Sequence, residues 1–124
     1  MVIEIDALGK TPIYEQLRDQ IVLGMAAGKI VPGEALPSVR RLAAQLGVNF
    51  HTVGKAYATL CDEGYIAVDR RKGAVALPPS RGEDFAGQLE ERISLAAAEA
   101  VCRGMGREEF EALCSECYRK AKGA

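Results

Sequence analysis

The sequence predicts a mainly α-helical chain with one small β-hairpin. Apolar residues recur at the three- and four-residue spacing of helices along most of its length, and that spacing gives way to near-alternation only once, between Tyr65 and Leu77. With 124 residues, 48% of them apolar and 27% charged, the chain can bury one modest core but not two full-sized ones. One compact domain with a smaller appendage is the most it can build.

Taken in order, Thr11 followed by Pro12 reads as an N-cap and first helical residue. Ile13, Leu17, Ile21 and Met25 then recur every four residues until Gly28 stops the pattern, which makes a first amphipathic helix. Pro32-Gly33 marks a turn. Ser38 is the expected cap of a short second helix with Val39, Leu42, Ala43 and Leu46 on one face and Gly47 at its end. Asn49 can cap again, and Val53, Ala56, Tyr57 and Leu60 supply the inner face of a third helix that stops at Gly64. Two helices joined by about three residues including a glycine form a helix-turn-helix. Tyr65 to Val68 and Ala74 to Leu77 then pair as a hairpin with a basic tip, Asp69-Arg70-Arg71-Lys72-Gly73.

Pro78-Pro79-Ser80-Arg81-Gly82 can continue neither helix nor strand, so the expected division is a domain over residues 1–77 and a tail over 78–124. In the tail, Phe85, Leu89, Ile93, Ala96, Ala97, Ala100 and Val101 keep helical spacing up to Gly104-Met105-Gly106. Phe110, Leu113, Cys114, Cys117 and Tyr118 keep it again afterwards. The expected fold class is therefore a helix-turn-helix winged by a β-hairpin, followed by a two-helix C-terminal hairpin.

Total charge conceals a local imbalance: 16 Lys and Arg stand against 17 Asp and Glu over the whole chain. Residues 1–77 carry nine cations and eight carboxylates, and residues 78–124 carry seven and nine. Between Ser38 and Leu77, however, Arg40, Arg41, Lys55, Arg70, Arg71 and Lys72 face only Asp62, Glu63 and Asp69. No stretch approaches the roughly 18 consecutive apolar residues of a membrane span, and Glu4 and Asp6 in the first ten residues do not fit a secretion signal. A cytoplasmic protein is expected, with Cys61, Cys102, Cys114 and Cys117 as reduced thiols.

Arg40 and Arg41 fall in the first turn of the second helix, where the positive end of the helix dipole disfavours a cation by roughly 0.3 to 1 kcal/mol. A phosphate across that helix start would compensate; solvation or a pair with Glu34 is the plainer alternative. Asn49, Phe50, His51 and Thr52 open the third helix and Lys55 follows one turn later, opposite Val53 and Leu60. These side chains can enter a major groove. Asn can pair with adenine, Thr can touch a thymine methyl or a phosphate, and Lys can reach guanine or the backbone. Alternatively Asn49 is only a cap and His51 only exposed. At the hairpin tip, Arg70, Arg71 and Lys72 suit phosphate or minor-groove contact, and Gly73 permits a tight turn and close approach. By itself such a run is commonly a solvated turn.

Chemistry of other kinds lacks its residues. His51 is the only histidine, no glycine-rich phosphate loop or nucleophile elbow occurs, and no enzyme, metal or cofactor is expected. Cys114 and Cys117 share a helix face and could serve a thiol or metal sensor, but two ligands do not close a zinc site. Small apolar packing beside Phe110, Leu113 and Tyr118 is the expected role.

Residues 10–77 carry motifs in order: Pro12-Ile13-Tyr14-Glu15-Gln16-Leu17, Gly28-Lys29-Ile30-Val31-Pro32-Gly33-Glu34, Leu36-Pro37-Ser38-Val39-Arg40-Arg41-Leu42-Ala43, Gly47-Val48-Asn49 with Thr52-Val53 and Lys55-Ala56-Tyr57, and Glu63-Gly64-Tyr65-Ile66. This stretch resembles the winged helix-turn-helix of GntR-type bacterial transcription regulators, and the short tail resembles their YtrA subgroup. The resemblance implies DNA contacts from Arg40, Asn49, His51, Thr52, Lys55 and Gly73, and a YtrA-like place beside transporter genes of the ATP-binding cassette type. Phe50-His51 departs from the Pro-Asn or Pro-Arg common in such helices. Gly54 stands where Ala or Arg is usual, at a cost of roughly 0.5 to 1 kcal/mol relative to Ala.

The expected function is sequence-specific regulation of transcription, as a homodimeric repressor on a near-palindromic site of double-stranded DNA. The expected DNA-contacting set is Ser38, Arg40, Arg41, Asn49, His51, Thr52, Lys55, Arg70, Arg71, Lys72 and Gly73. The expected dimer interface is Phe85, Leu89, Ile93, Ala97, Phe110, Leu113, Cys114 and Cys117, since two short apolar-striped helices cannot form a self-sufficient core. A small-molecule effector, if there is one, would sit between the tail helices, in the dimer interface or at the junction with the first domain. The rival reading is a dimeric protein-interaction module whose basic wing binds an acidic partner, with no salt-dependent affinity for DNA.

Overall fold

The computed structural model describes residues 2–123. The elements run α1 (Ile13–Ala26), α2 (Val39–Leu46), α3 (Phe50–Asp62), β1 (Ile66–Asp69), β2 (Gly73–Ala76), α4 (Phe85–Cys102) and α5 (Arg107–Ala121), and the chain divides into two compact units after Ser80. Five helices and one hairpin agree with the expected fold class. Among the described residues no helix is long and apolar enough to cross a membrane.

The first unit is built on α3, which packs against α1, α2 and β1. Its core takes Leu17 and Ile21 from α1, Leu42 and Ala43 from α2, and Val53, Ala56, Tyr57 and Leu60 from α3. Ile30 and Leu36 come from the connection, and Ile66, Ala74 and Ala76 from the hairpin. Apart from Ile30 and Leu36, these are apolar positions that helical spacing and strand alternation mark out, so their burial follows from the periodicity.

The two caps expected within the helix-turn-helix are present. Ser38 Oγ accepts from the Arg41 amide at 3.1 Å, and Asn49 Oδ1 accepts from the His51 amide at 2.7 Å. Gly47, between them, adopts the left-handed conformation (φ 68°), which ends α2 and turns the chain into α3. At α1 the start lies one residue later than expected: Pro12, with ψ 145°, is itself the cap residue, and no side chain caps the helix. The Thr11 carbonyl instead accepts from the Gln16 side chain at 2.8 Å.

Two features were not anticipated. After the turn at Pro32-Gly33, the chain runs alongside β2 as an extra edge: Gly33 N donates to Ala76 O (2.8 Å), Ala76 N to Glu34 O (2.9 Å) and Leu36 N to Ala74 O (2.8 Å). The wing is thereby braced on both sides of β2. In addition, the N-terminal arm lies along α1. Gln16 and Gln20, one helical turn apart, offer their side-chain amides as a substitute for a neighbouring strand. Glu4 N donates to Gln20 Oε1 and Asp6 N to Gln16 Oε1, both at 2.8 Å, and each glutamine donates back to the carbonyl of the same residue. Ile3 and Ile5 pack against the core from this arm.

In the second unit, α4 and α5 are joined through Gly104 (φ 79°) and Gly106, which caps α5. No residue of either helix is buried: Ile93 is 50% and Leu113 51% exposed, and Phe85 and Tyr118 are also open. Leu89, Ala97 and Phe110 are half-buried. Cys114 and Cys117 are exposed. Their expected role as small apolar packing is therefore not met within one chain, because no element of this unit covers their face of α5.

Candidate nucleic-acid interface

Arg40 and Arg41 stand exposed in the first turn of α2. Neither pairs with Glu34, whose carboxylate is occupied with the Val31 amide at 3.1 Å. The Arg40 guanidinium instead lies 5.4 Å from the ring centroid of Phe50, the first residue of α3, and the His51 ring meets Phe50 edge-on at 5.4 Å. The start of α2 and the start of α3 are thus joined through one aromatic ring. Ser38 and Asn49, both exposed, have their side chains committed to caps, so each helix start is fixed before any ligand arrives.

Farther along α3, Thr52 is half-buried and Lys55 is exposed, with Lys55 Nζ 4.0 Å from the ring centroid of Tyr14 on α1. Behind them Tyr57 anchors α3 from within. Its hydroxyl donates to the Pro37 carbonyl at 2.7 Å, tying α3 to the loop that leads into α2. Burial pushes the Tyr57 phenol up to about 12.

At the wing tip, Asp69 Oδ1 accepts from the amides of Arg71 (2.7 Å) and Lys72 (3.2 Å), an Asx-type turn that holds the Asp69 carboxyl below its usual range. Gly73 closes the three-residue loop at φ 77°, where a side chain would be strained. The turn leaves Arg70, Arg71 and Lys72 pointing into open solvent.

Among the described residues, none of Arg40, Arg41, Lys55, Arg70, Arg71 and Lys72 has a carboxylate within ion-pair distance; every ion pair lies elsewhere. Arg18 shows the contrast. It grips Glu63 through two hydrogen bonds (2.9 and 3.3 Å) and Asp19 through another (2.9 Å), and rests on the Tyr65 ring. Burial alone would lower its pKa, but the bonds to Glu63 and Asp19 raise it overall. Arg18 is thus a structural cation, whereas the other six are free to meet an anion.

Sequence reasoning placed Phe50 among the residues opening the helix but missed Tyr14 as the rest for Lys55 and Asp69 as the organiser of the wing tip. Asp69 was legible in principle, because an Asp two residues before a turn's amides is an Asx signal. Tyr14 was not, because its partner is distant in sequence. No group of three or more His, Cys, Asp or Glu side chains gathers as a metal site among the described residues.

Residues 10–75 match the family of bacterial regulatory proteins called gntR. Over 125 aligned residues the chain is 32% identical to the HTH-type transcriptional repressor YtrA of Bacillus subtilis, covering 98% of this chain and 96% of that one. The structure of YtrA from Sulfolobus acidocaldarius, a GntR-family transcription factor, superposes with a TM-score of 0.68 at 43% identity, over 79% of this chain and 99% of that one. AraR(DBD) in complex with operator ORX1 superposes with a TM-score of 0.55 at 27% identity, over 61% of this chain and 98% of that one. Several other curated relatives are matched over about half of their own length or less. Because the match takes in the helix-turn-helix and wing, and the YtrA alignment continues through both tail helices, the chain belongs to the gntR family of DNA-binding transcriptional regulators, in its YtrA-like branch, and is not an enzyme.

Proposed function

We propose that the protein is a homodimeric repressor that reads a near-palindromic operator with α3 and holds the flanking phosphates with Arg40, Arg41 and the wing. The observation that carries this reading is the set of six cations without carboxylate partners, drawn from α2, α3 and the wing tip. Cations left free of internal pairs can release counterions on binding a polyanion, which gives salt-dependent affinity. His51, Thr52 and Lys55 on α3 supply base-edge contacts; Ser38, Asn49 and Gly73 set the backbone from which these groups reach. The uncovered stripes of α4 and α5, with Phe85, Ile93 and Leu113 exposed, favour a second copy as their cover. Twofold symmetry would then present two recognition helices to two half-sites.

The test is fluorescence anisotropy of the full chain on duplex DNA from upstream of its own gene, at several salt concentrations and against random competitor. Binding that survives competitor and falls steeply with salt is expected. Affinity without any salt dependence would instead favour the interaction-module reading. Within that assay, Thr52→Ala or Lys55→Ala should loosen sequence preference, whereas Arg71→Ala should weaken all duplexes alike and lower the salt slope by about one. Equal effects from the two classes would overturn the division of roles.

A further inference from the structure

Phe50 occupies an odd position for an aromatic ring. It opens the recognition helix with 45% of its surface exposed, and its neighbours there are the Arg40 guanidinium and the His51 ring rather than the core. The open part of the ring is apolar surface at the start of α3 that a groove could cover. The cation over it, Arg40, lacks a carboxylate partner, as does Arg41 in the same helical turn, so the ring stands beside charge that is free to meet phosphates.

We propose that Phe50 is a specificity-determining residue that reads thymine, by packing its ring against the C5-methyl group in the major groove. This rests on the sequence-specific DNA reading given above. Phe has no donor or acceptor, so it cannot read guanine, cytosine or adenine through their hydrogen-bonding edges; the thymine methyl is the apolar feature the major groove presents. Arg40, lying over the same ring without a carboxylate partner, is left to meet a backbone phosphate. Phe50 therefore discriminates, and Arg40 attaches.

The experiment starts from a duplex selected by the full chain from a randomised library. Each thymine of the selected site is then replaced singly by deoxyuridine, which removes the methyl and leaves every hydrogen-bonding group in place. For the unaltered protein, one thymine in each half-site should lose about fourfold in affinity on this change, the worth of burying one methyl group. In Phe50→Ala the same replacement should make no difference, and Phe50→Leu should keep part of the sensitivity. Arg40→Ala should bind more weakly and with a shallower salt slope, yet retain the methyl sensitivity.

A selected site with no methyl-sensitive thymine would overturn the proposal while leaving sequence-specific reading intact. Sensitivity that persists unchanged in Phe50→Ala would also overturn it, and would point to the Thr52 methyl instead. A library from which no sequence is enriched would overturn the sequence-specific reading itself, and this proposal with it. Circular dichroism of the variants establishes that the helices remain formed, as expected for an exposed position.

Discussion

Tyr57 shows how one residue can serve both core and site. Its ring is among the buried side chains of α3, and its hydroxyl is spent on the Pro37 carbonyl. Because burial raises the phenol from 10.0 to about 12, the folded chain holds this proton more tightly than the unfolded one. The associated stability is fully present below pH 10 and is lost as pH rises from 10 towards 12, at up to about 1.4 kcal/mol per pH unit. Urea unfolding across that range should show the decline, and Tyr57→Phe should flatten it. At neutral pH the same variant should cost about 1 kcal/mol, since the Pro37 carbonyl is left without its donor. Asp69 acts at the wing in the opposite sense. Its carboxylate form accepts two amides and is favoured, so the turn is present above the ordinary Asp range and loosens as pH falls through the lowered value. Faster amide exchange at Arg71 and Lys72 in Asp69→Ala, which removes the acceptor, would check this.

The elements differ in how far local rules account for them. Ser38, Gly47 and Asn49 were each legible, because caps and left-handed turns are decided within a few residues. The extra edge from Gly33 to Leu36 was not. Its few residues have no alternation of their own, and their strand character comes from pairing with β2, about forty residues away. Gly54 lies inside α3, and a Cβ added there would meet no atom within 4 Å. Gly54→Ala should therefore stabilise the first unit by about 0.5 to 1 kcal/mol, read as a rise in melting temperature. Gly73→Ala should do the reverse despite equally open space, because the backbone there sits at φ 77°. Comparing the two variants separates helix propensity from backbone strain.

At the scale of the whole molecule, the two units have different claims to independence. The first has a core drawn from every one of its elements, whereas neither helix of the second buries a residue. A helical hairpin without a core is poorly stable alone, so the second unit should depend on the second copy proposed above. Ile93→Asp or Leu113→Asp should shift the sedimenting species from dimer to monomer. Affinity for a two-half-site duplex should fall much more than affinity for a single half-site.

Short-range spacing determined most of the secondary structure: helical repeats, caps, the hairpin and a Pro-rich break all depend on residues close in sequence. The same spacing put Arg40, Lys55 and the wing cations outside the core, since each falls off an apolar face. Which groups those cations meet was decided only by tertiary structure. Arg40 found Phe50 and Lys55 found Tyr14, while Arg18 was tied down by Glu63. Likewise the glutamines of α1 became a docking edge for the N-terminal arm only once that arm lay beside them. Periodicity states which side of a helix faces inward, but a contact between distant residues depends on where the backbone carries each of them, and that is settled by packing the helices on one another.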